Sequence, residues 1–342
     1  MYKKIITNIL KFTLAFGLIY WLVQSGKLDF KLLYKLIETP LVIVFSIALM
    51  QFDHILVALR LRIILLQKAS NDLSFVRLFI SNWIGIFFNS VLPGSVTGDV
   101  VKIFYIKDLD KNLSKKFLLI SVLMDRVVGL LGLILIGGIV STLNYDALSL
   151  LSNDVKSIIH INMFLMIIVF ITLGILFFLP SLPHKIAEIG KKTGLAIGLI
   201  NKLEEIWTDL CLFRNKLVAL ISMSMIIQAL AIFIFWYLAH PFATGHELNI
   251  STVFSVMPIG FISLAIPIAP AGLGVGHVVF ETLLGYFGVS NGASLFNIYF
   301  FVIMFSNLTG VLPYIFYSGK NHKKVHLNDI EKTELELENE SD

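Results

Sequence analysis

Charge is scarce in this sequence. Aspartate, glutamate, lysine and arginine supply 15% of its 342 residues, against roughly a quarter in soluble domains. Hydrophobic residues supply 57%, and the mean hydropathy is +0.85. A soluble domain cannot hide that much apolar surface and still present a wetted exterior, so the composition describes a polytopic membrane protein. Cysteine is almost absent. Cys211 stands alone, which excludes an intrachain disulfide and a stapled secreted scaffold. The net charge of +4 is small and much of it flanks apolar runs, which excludes a nucleic-acid binder.

Signatures of catalysis are missing as well. His277-Val278-Val279-Phe280-Glu281 has the wrong order for the H-E-x-x-H of a zinc protease. No G-x-S-x-G elbow surrounds Ser95 and no nucleotide-binding G-x-x-x-x-G-K-[ST] occurs. No acidic cluster offers a metal-dependent transferase site. An enzyme is therefore the less favoured class, and no cofactor or metal is expected.

Long apolar runs are what the sequence does have. A helix needs about 20 apolar residues to cross the hydrocarbon core. Ile5–Val23, Leu41–Leu59, Phe117–Leu143, Asn162–Leu179, Leu217–Leu238 and Ser294–Phe316 meet that requirement. The first follows Lys3 and Lys4 as a signal peptide would, but Gln24-Ser25-Gly26 is a poor cleavage site, so a retained span is expected. Two further apolar regions are interrupted. Leu92-Pro93-Gly94-Ser95-Val96-Thr97-Gly98-Asp99 breaks Phe75–Ile106, and the Pro267–Gly276 stretch, with Pro270, Gly272 and Gly274, breaks Thr252–Val289. Proline removes a backbone donor and glycine loosens the helix, so each region reads as two short helices joined by an irregular turn. Irregular backbone at membrane depth survives only inside protein or beside a water-filled cavity.

Lysine and arginine gather before the first span, after the second, before Phe117, throughout Pro180–Lys216 and after Phe316, and are sparse after Leu143 and Leu238. By the positive-inside rule both termini are cytoplasmic; Lys27, Lys31 and Lys35 run against the pattern. The count closes if each broken region enters and leaves on one side. Two units, about 41–143 and 217–317, then run in opposite senses as an inverted repeat. The expected fold is an all-α helical bundle over residues 1–317 with two re-entrant helix pairs. Residues 184–216 read as an amphipathic cytoplasmic connector. Residues 318–342 read as an acidic, solvated tail.

Charges inside an apolar span are costly and mark a pairing or a pathway. Asp125 and Arg126 lie within one span, and neighbours on a helix diverge by about 100°, so each needs another partner. Asp99 and Lys102 follow the first turn and share a helix face. Asp99 there either caps the helix or pairs with a cation, or it touches substrate. His277 and Glu281 follow the second turn four residues apart; they either relay a proton or pin two helices. Asp53 and His54 lie in the second span, with Arg126 as a candidate partner for Asp53.

The residues Ala58-Leu59-Arg60-Leu61-Arg62-Ile63-Ile64-Leu65-Leu66, the Leu92–Lys102 run, Asp125-Arg126-Val127-Val128-Gly129-Leu130 and the Pro267–Gly276 turn, in this order, resemble the lysylphosphatidylglycerol synthase transmembrane-region family. The resemblance implies a lipid-handling membrane domain. Some members carry a soluble aminoacyl-transferase domain, and others accompany glycosyltransferases acting on lipid carriers. This sequence departs from the commoner pattern at Gly94–Gly98, where many members have more glycine, and at Gly276-His277, where many have arginine-glutamate.

Together these readings give a flippase-like translocase of anionic, modified or carrier lipids in the cytoplasmic membrane. A membrane-embedded transferase on lipid-linked substrates and a non-catalytic partner of such an enzyme are the alternatives. The expected partners are membrane lipids, anionic or isoprenoid-linked, and a lipid-modifying enzyme. Candidate substrate-binding residues are Arg60, Arg62, Pro93, Gly94, Gly98, Asp99, Lys102, Asp125 and Arg126 from the first unit. From the second they are Pro270, Gly272, Gly274, Gly276, His277 and Glu281.

Overall fold

The computed structural model describes residues 20, 24, 31–70, 72–91, 97–181, 183–185, 187–188, 200–201, 204, 207–208, 211–265 and 274–317. The expected first span, most of the connector and the tail lie outside the described residues. So do positions 92–96 and 266–273 of the two breaks, and with them Pro93, Gly94, Pro270 and Gly272.

Every named element is helical. In chain order they are α1 (Lys31–Ile37), α2 (Pro40–Leu65), α3 (Phe75–Val91), α4 (Thr97–Leu109), α5 (Lys115–Leu143), α6 (Tyr145–Ser149), α7 (Asn153–Phe178), α8 (Arg214–Ala239), α9 (Ile250–Ala265), α10 (Val275–Gly285), α11 (Gly292–Leu308) and α12 (Val311–Tyr317). Five segments are long and apolar enough to cross a membrane: α2, α5, α7, α8 with its 3₁₀ extension to Phe242, and α11 continued by α12 to Phe316. The chain is an all-α polytopic membrane protein. α7 begins nine residues before the expected Asn162, because Ser152 Oγ accepts from Val155 N–H and caps an earlier start. The outer face of α7 leaves Phe164, Ile167, Phe170 and Ile171 exposed, a surface suited to lipid and not to water.

The two interrupted regions form helix pairs. α3 and α4 touch backbone to backbone, since a Cβ on Gly98 would meet the Gly85 carbonyl at 2.1 Å. Only glycine allows that approach. The base of this pair is tied: Ser70 N–H, just before α3, donates to Asp110 Oδ2 at 3.0 Å, just after α4. The second pair, α9 and α10, is tied at its base by an antiparallel bridge between Gly245 and Val289, with Ser290 N–H donating to Thr244 O at 2.9 Å. Each pair thus starts and ends on one face. At 1.5 Å per residue, α4 is about 20 Å long and α10 about 17 Å, short of the ~30 Å hydrocarbon core.

The two bases lie on opposite faces of the bundle. Lys68 sits over the Phe117 ring at 5.2 Å, and Phe117 stacks on Phe213 with centroids 6.4 Å apart. The Ser70–Asp110 base therefore lies beside the start of α8. The Gly245–Val289 base lies beyond the far end of that helix, about 39 Å away along its 26 residues. Trp207 Nε1 donates to Pro180 O at 2.8 Å, tying Trp207 to the end of α7.

Two apolar cores flank the middle. One gathers Leu61, Leu65, Phe117, Phe213 and Leu217 near the first face. The other gathers Phe235, Leu238, Phe280, Phe296 and Ile298 toward the second. α5 and α8 cross closely between them, because Gly132 admits Ser224, whose Cβ would lie 2.7 Å from an added methyl group.

Candidate functional site

Between the two cores lies a cavity of about 740 Å³ walled by α2, α3, α5, α8, α9 and α11. Part of the lining is polar, with Arg60, Asn89, Asp125, Arg126, Gln228 and Asn307, and part is apolar, with Leu133, Phe261, Leu264, Phe296, Phe300 and Ile303.

Three ion pairs organise these polar residues. Arg60 Nε donates to Asp125 Oδ1 at 2.7 Å, with both side chains buried, and Arg60 Nη1 donates to Ser224 Oγ at 2.9 Å. Arg126 donates to Asp99 Oδ2, and Lys102 Nζ lies 3.5 Å from Asp99 Oδ1. Asp125 and Arg126 therefore turn to different helices, as their 100° divergence requires. The Arg126 side chain is 45% exposed whereas the Asp99 and Lys102 side chains are under 10%, so Arg126 is the more accessible of the two cations on Asp99. The suggested Asp53–Arg126 partnership does not form. Asp99 of α4 takes Arg126, because Arg126 turns away from the α2 side of α5, where Arg60 holds Asp125.

Several predicted residues support the cavity from outside its wall. Gly98 N–H donates to Asn89 Oδ1 at 2.8 Å, fixing the amide that lines the cavity. Gly274 has φ 78°, a left-handed conformation suited to glycine, and its N–H donates to His277 Nδ1 at 3.3 Å. His277 Nε2 lies 3.3 Å from Asn297 Oδ1. With Nδ1 accepting, Nε2 is the donor, and the ring is the neutral Nε2–H tautomer. The ring packs edge-on against Phe296 at 4.8 Å. A Cβ on Gly276 would lie 2.3 Å from the Phe296 ring. His277 and Gly276 thus position a wall residue of the cavity. Glu281 Oε2 accepts from Ala293 N–H at 2.9 Å, capping the start of α11. Arg62 lies apart: Nη2 donates to Asp72 Oδ1 at 2.5 Å and Nε to Leu73 O at 2.9 Å, which anchors the loop before α3.

Asn89, Ser90, Gln228, Tyr299 and Asn307 line the cavity and were missed by sequence reasoning. A polar-residue scan of the spans would have found Gln228 and Asn307, each embedded in an apolar run.

A family model described as the lysylphosphatidylglycerol synthase TM region matches residues 8–309. The chain belongs to this family. Its members are membrane proteins linked to lipid biosynthesis or modification. No curated protein and no solved structure matches the chain. In this member of the lysylphosphatidylglycerol synthase TM region family, the match spans α1 to α11, so it covers both helix pairs and the cavity between them.

Proposed function

We propose that the chain is a flippase-like translocase of anionic, modified or carrier lipids in the cytoplasmic membrane, with both termini cytoplasmic. The observation that carries this reading is the mixed lining of the cavity, in which Arg126 and the Arg60–Asp125 pair share one space with phenylalanine, leucine and isoleucine side chains. In the polar group three cations, Arg60, Lys102 and Arg126, meet two carboxylates, Asp99 and Asp125. The surplus positive charge suits a phosphodiester, and the guanidinium of Arg126 offers it a planar pair of donors. The headgroup would pass along the polar residues while its chains stay in lipid. Helix pairs based on opposite faces are the arrangement that alternating access employs in other transporters.

The test is purified protein in liposomes carrying labelled anionic lipid. Leaflet exchange without covalent change, slowed in Arg126→Ala, is the expected result. A new lipid product would replace this reading with a membrane-embedded transferase. Absence of both, with a transferase co-purifying, would replace it with a non-catalytic partner.

A further inference from the structure

Asp53 stands in the middle of α2 and is absorbed by none of the pairings above. Its Oδ1 is sealed from solvent and has no hydrogen-bond partner, and it forms no ion pair among the described residues. A carboxylate left this way inside a membrane helix is expensive unless neutralised. It is also close to the site. Arg60 is two turns along the same face of α2, and Tyr299, which lines the cavity, lies within electrostatic reach of the Asp53 carboxyl.

We propose that Asp53 is an exchangeable proton site whose occupancy is linked to an anionic headgroup in the cavity. The inference deepens the translocase reading and rests on it for the identity of the anion. The linkage follows from charge. With Asp53 ionised, it joins Asp99 and Asp125 opposite Arg60, Lys102 and Arg126, and the group is neutral. With Asp53 protonated, the group holds one positive charge and attracts a monoanion. Headgroup and proton then favour each other by the same factor, as thermodynamic linkage requires. A phosphodiester moving together with a proton carries no net charge, which lowers the cost of passage through a low-dielectric interior.

The surroundings leave Asp53 as the group that titrates there. From α11, Tyr299 faces it. His54, its neighbour on α2, points elsewhere, toward Asn307 of α11 with Lys102 of α4 in reach. α5 contributes Asp125 and Arg126, both engaged. The ionisable groups of α3 and α8, Arg77, Arg214, Lys216 and Tyr237, lie near helix ends, as do Lys31 and Lys35 of α1.

Infrared difference spectroscopy on the full-length protein in lipid nanodiscs tests this directly. The wild type should show the carbonyl stretch of a protonated carboxylic acid that titrates away at alkaline pH, and Asp53→Asn should lose that band. Asp53→Glu should move the band without abolishing it, which keeps the test informative if the asparagine variant folds poorly. Short-chain phosphatidylglycerol should shift the titration of the band to higher pH, and phosphatidylcholine should not. Superimposable wild-type and Asp53→Asn spectra, or a band indifferent to the anionic lipid, would overturn the proposal. Neither readout measures leaflet exchange, so failure of the translocase reading would appear separately, as liposomes that do not exchange lipid.

Discussion

Arg60 Nε and Asp125 Oδ1, 2.7 Å apart, join α2 to α5 in the lining of the cavity. Both side chains are buried, so removing either leaves the other as an unpaired charge inside the bundle. Asp125→Ala or Arg60→Ala should cost about 3–5 kcal/mol of stability, because a lone buried charge remains. The double variant Arg60→Met/Asp125→Leu should recover most of that loss and still transport nothing. Thermal denaturation in detergent, read beside lipid exchange, checks both halves.

Arg126 contrasts with Arg60. Its side chain is 45% exposed, and Asp99 keeps Lys102 when it is removed. Arg126→Ala should therefore cost less than about 1 kcal/mol of stability. Loss of a charged hydrogen bond to phosphate, about 1.5–3 kcal/mol, should slow exchange by roughly 10–100-fold. A fully active, stable Arg126→Ala variant would remove the phosphate assignment.

Glycine substitutions should separate packing from freedom. Gly276→Ala places a methyl group 2.3 Å from Phe296 Cζ, and Gly98→Ala places one 2.1 Å from the Gly85 carbonyl. Both should destabilise, Gly98→Ala more, since backbone yields less than a ring. Gly285 has open space around it, so Gly285→Ala should be neutral or stabilising by up to about 1 kcal/mol. Unfolding midpoints of the three variants decide this.

Acid should loosen the base of the first helix pair. Hydrogen bonds hold the Asp110 carboxyl below its ordinary range; the Asn112 backbone N–H is the largest cause, and Ser70 adds to it against the effect of burial. A depressed carboxylate stabilises above its unfolded pKa of ~3.9 and loses that contribution as pH falls through its lower folded value. The wild-type melting temperature should therefore fall faster than that of Asp110→Asn as pH drops below about 4. Parallel curves would show that the tie is neutral.

Topology reporters check the opposed bases. A tag in the Lys68–Ser70 loop and one after Gly319 should read cytoplasmic, and a tag at Gly245 external. A tag at Gly245 on the same side as Ser70 would contradict the crossing of α8.

Much of the architecture was legible in the sequence because apolar run length and proline or glycine interruptions are local signals. The runs containing α2, α5, α8 and α11 and both broken regions could be read that way. The start of α7 could not, since Ser152 capping outweighs the polar residues that follow it. Pairings were legible only as needs. The sequence shows that Asp125 and Arg126 require partners, but Arg60 lies 65 residues away and only tertiary packing chooses it over Arg62. Likewise, the four-residue spacing of His277 and Glu281 suggested one shared task, whereas the first steadies Phe296 and the second caps α11.

The two base ties have a mechanical consequence. Each helix pair is a cantilever clamped at one face, by Ser70 and Asp110 or by Gly245 and Val289. A rod held this way deflects most at its inner end, where, among the described residues, side chains alone tie it to the rest of the bundle, Arg126 on Asp99 in the first pair and Asn297 on His277 in the second. Small tilts at the bases would therefore be amplified deep in the bilayer, beside the cavity, while the loops at the two membrane surfaces hold still. Whatever the cavity carries, its doors would swing inside the membrane, with their hinges at the two aqueous faces.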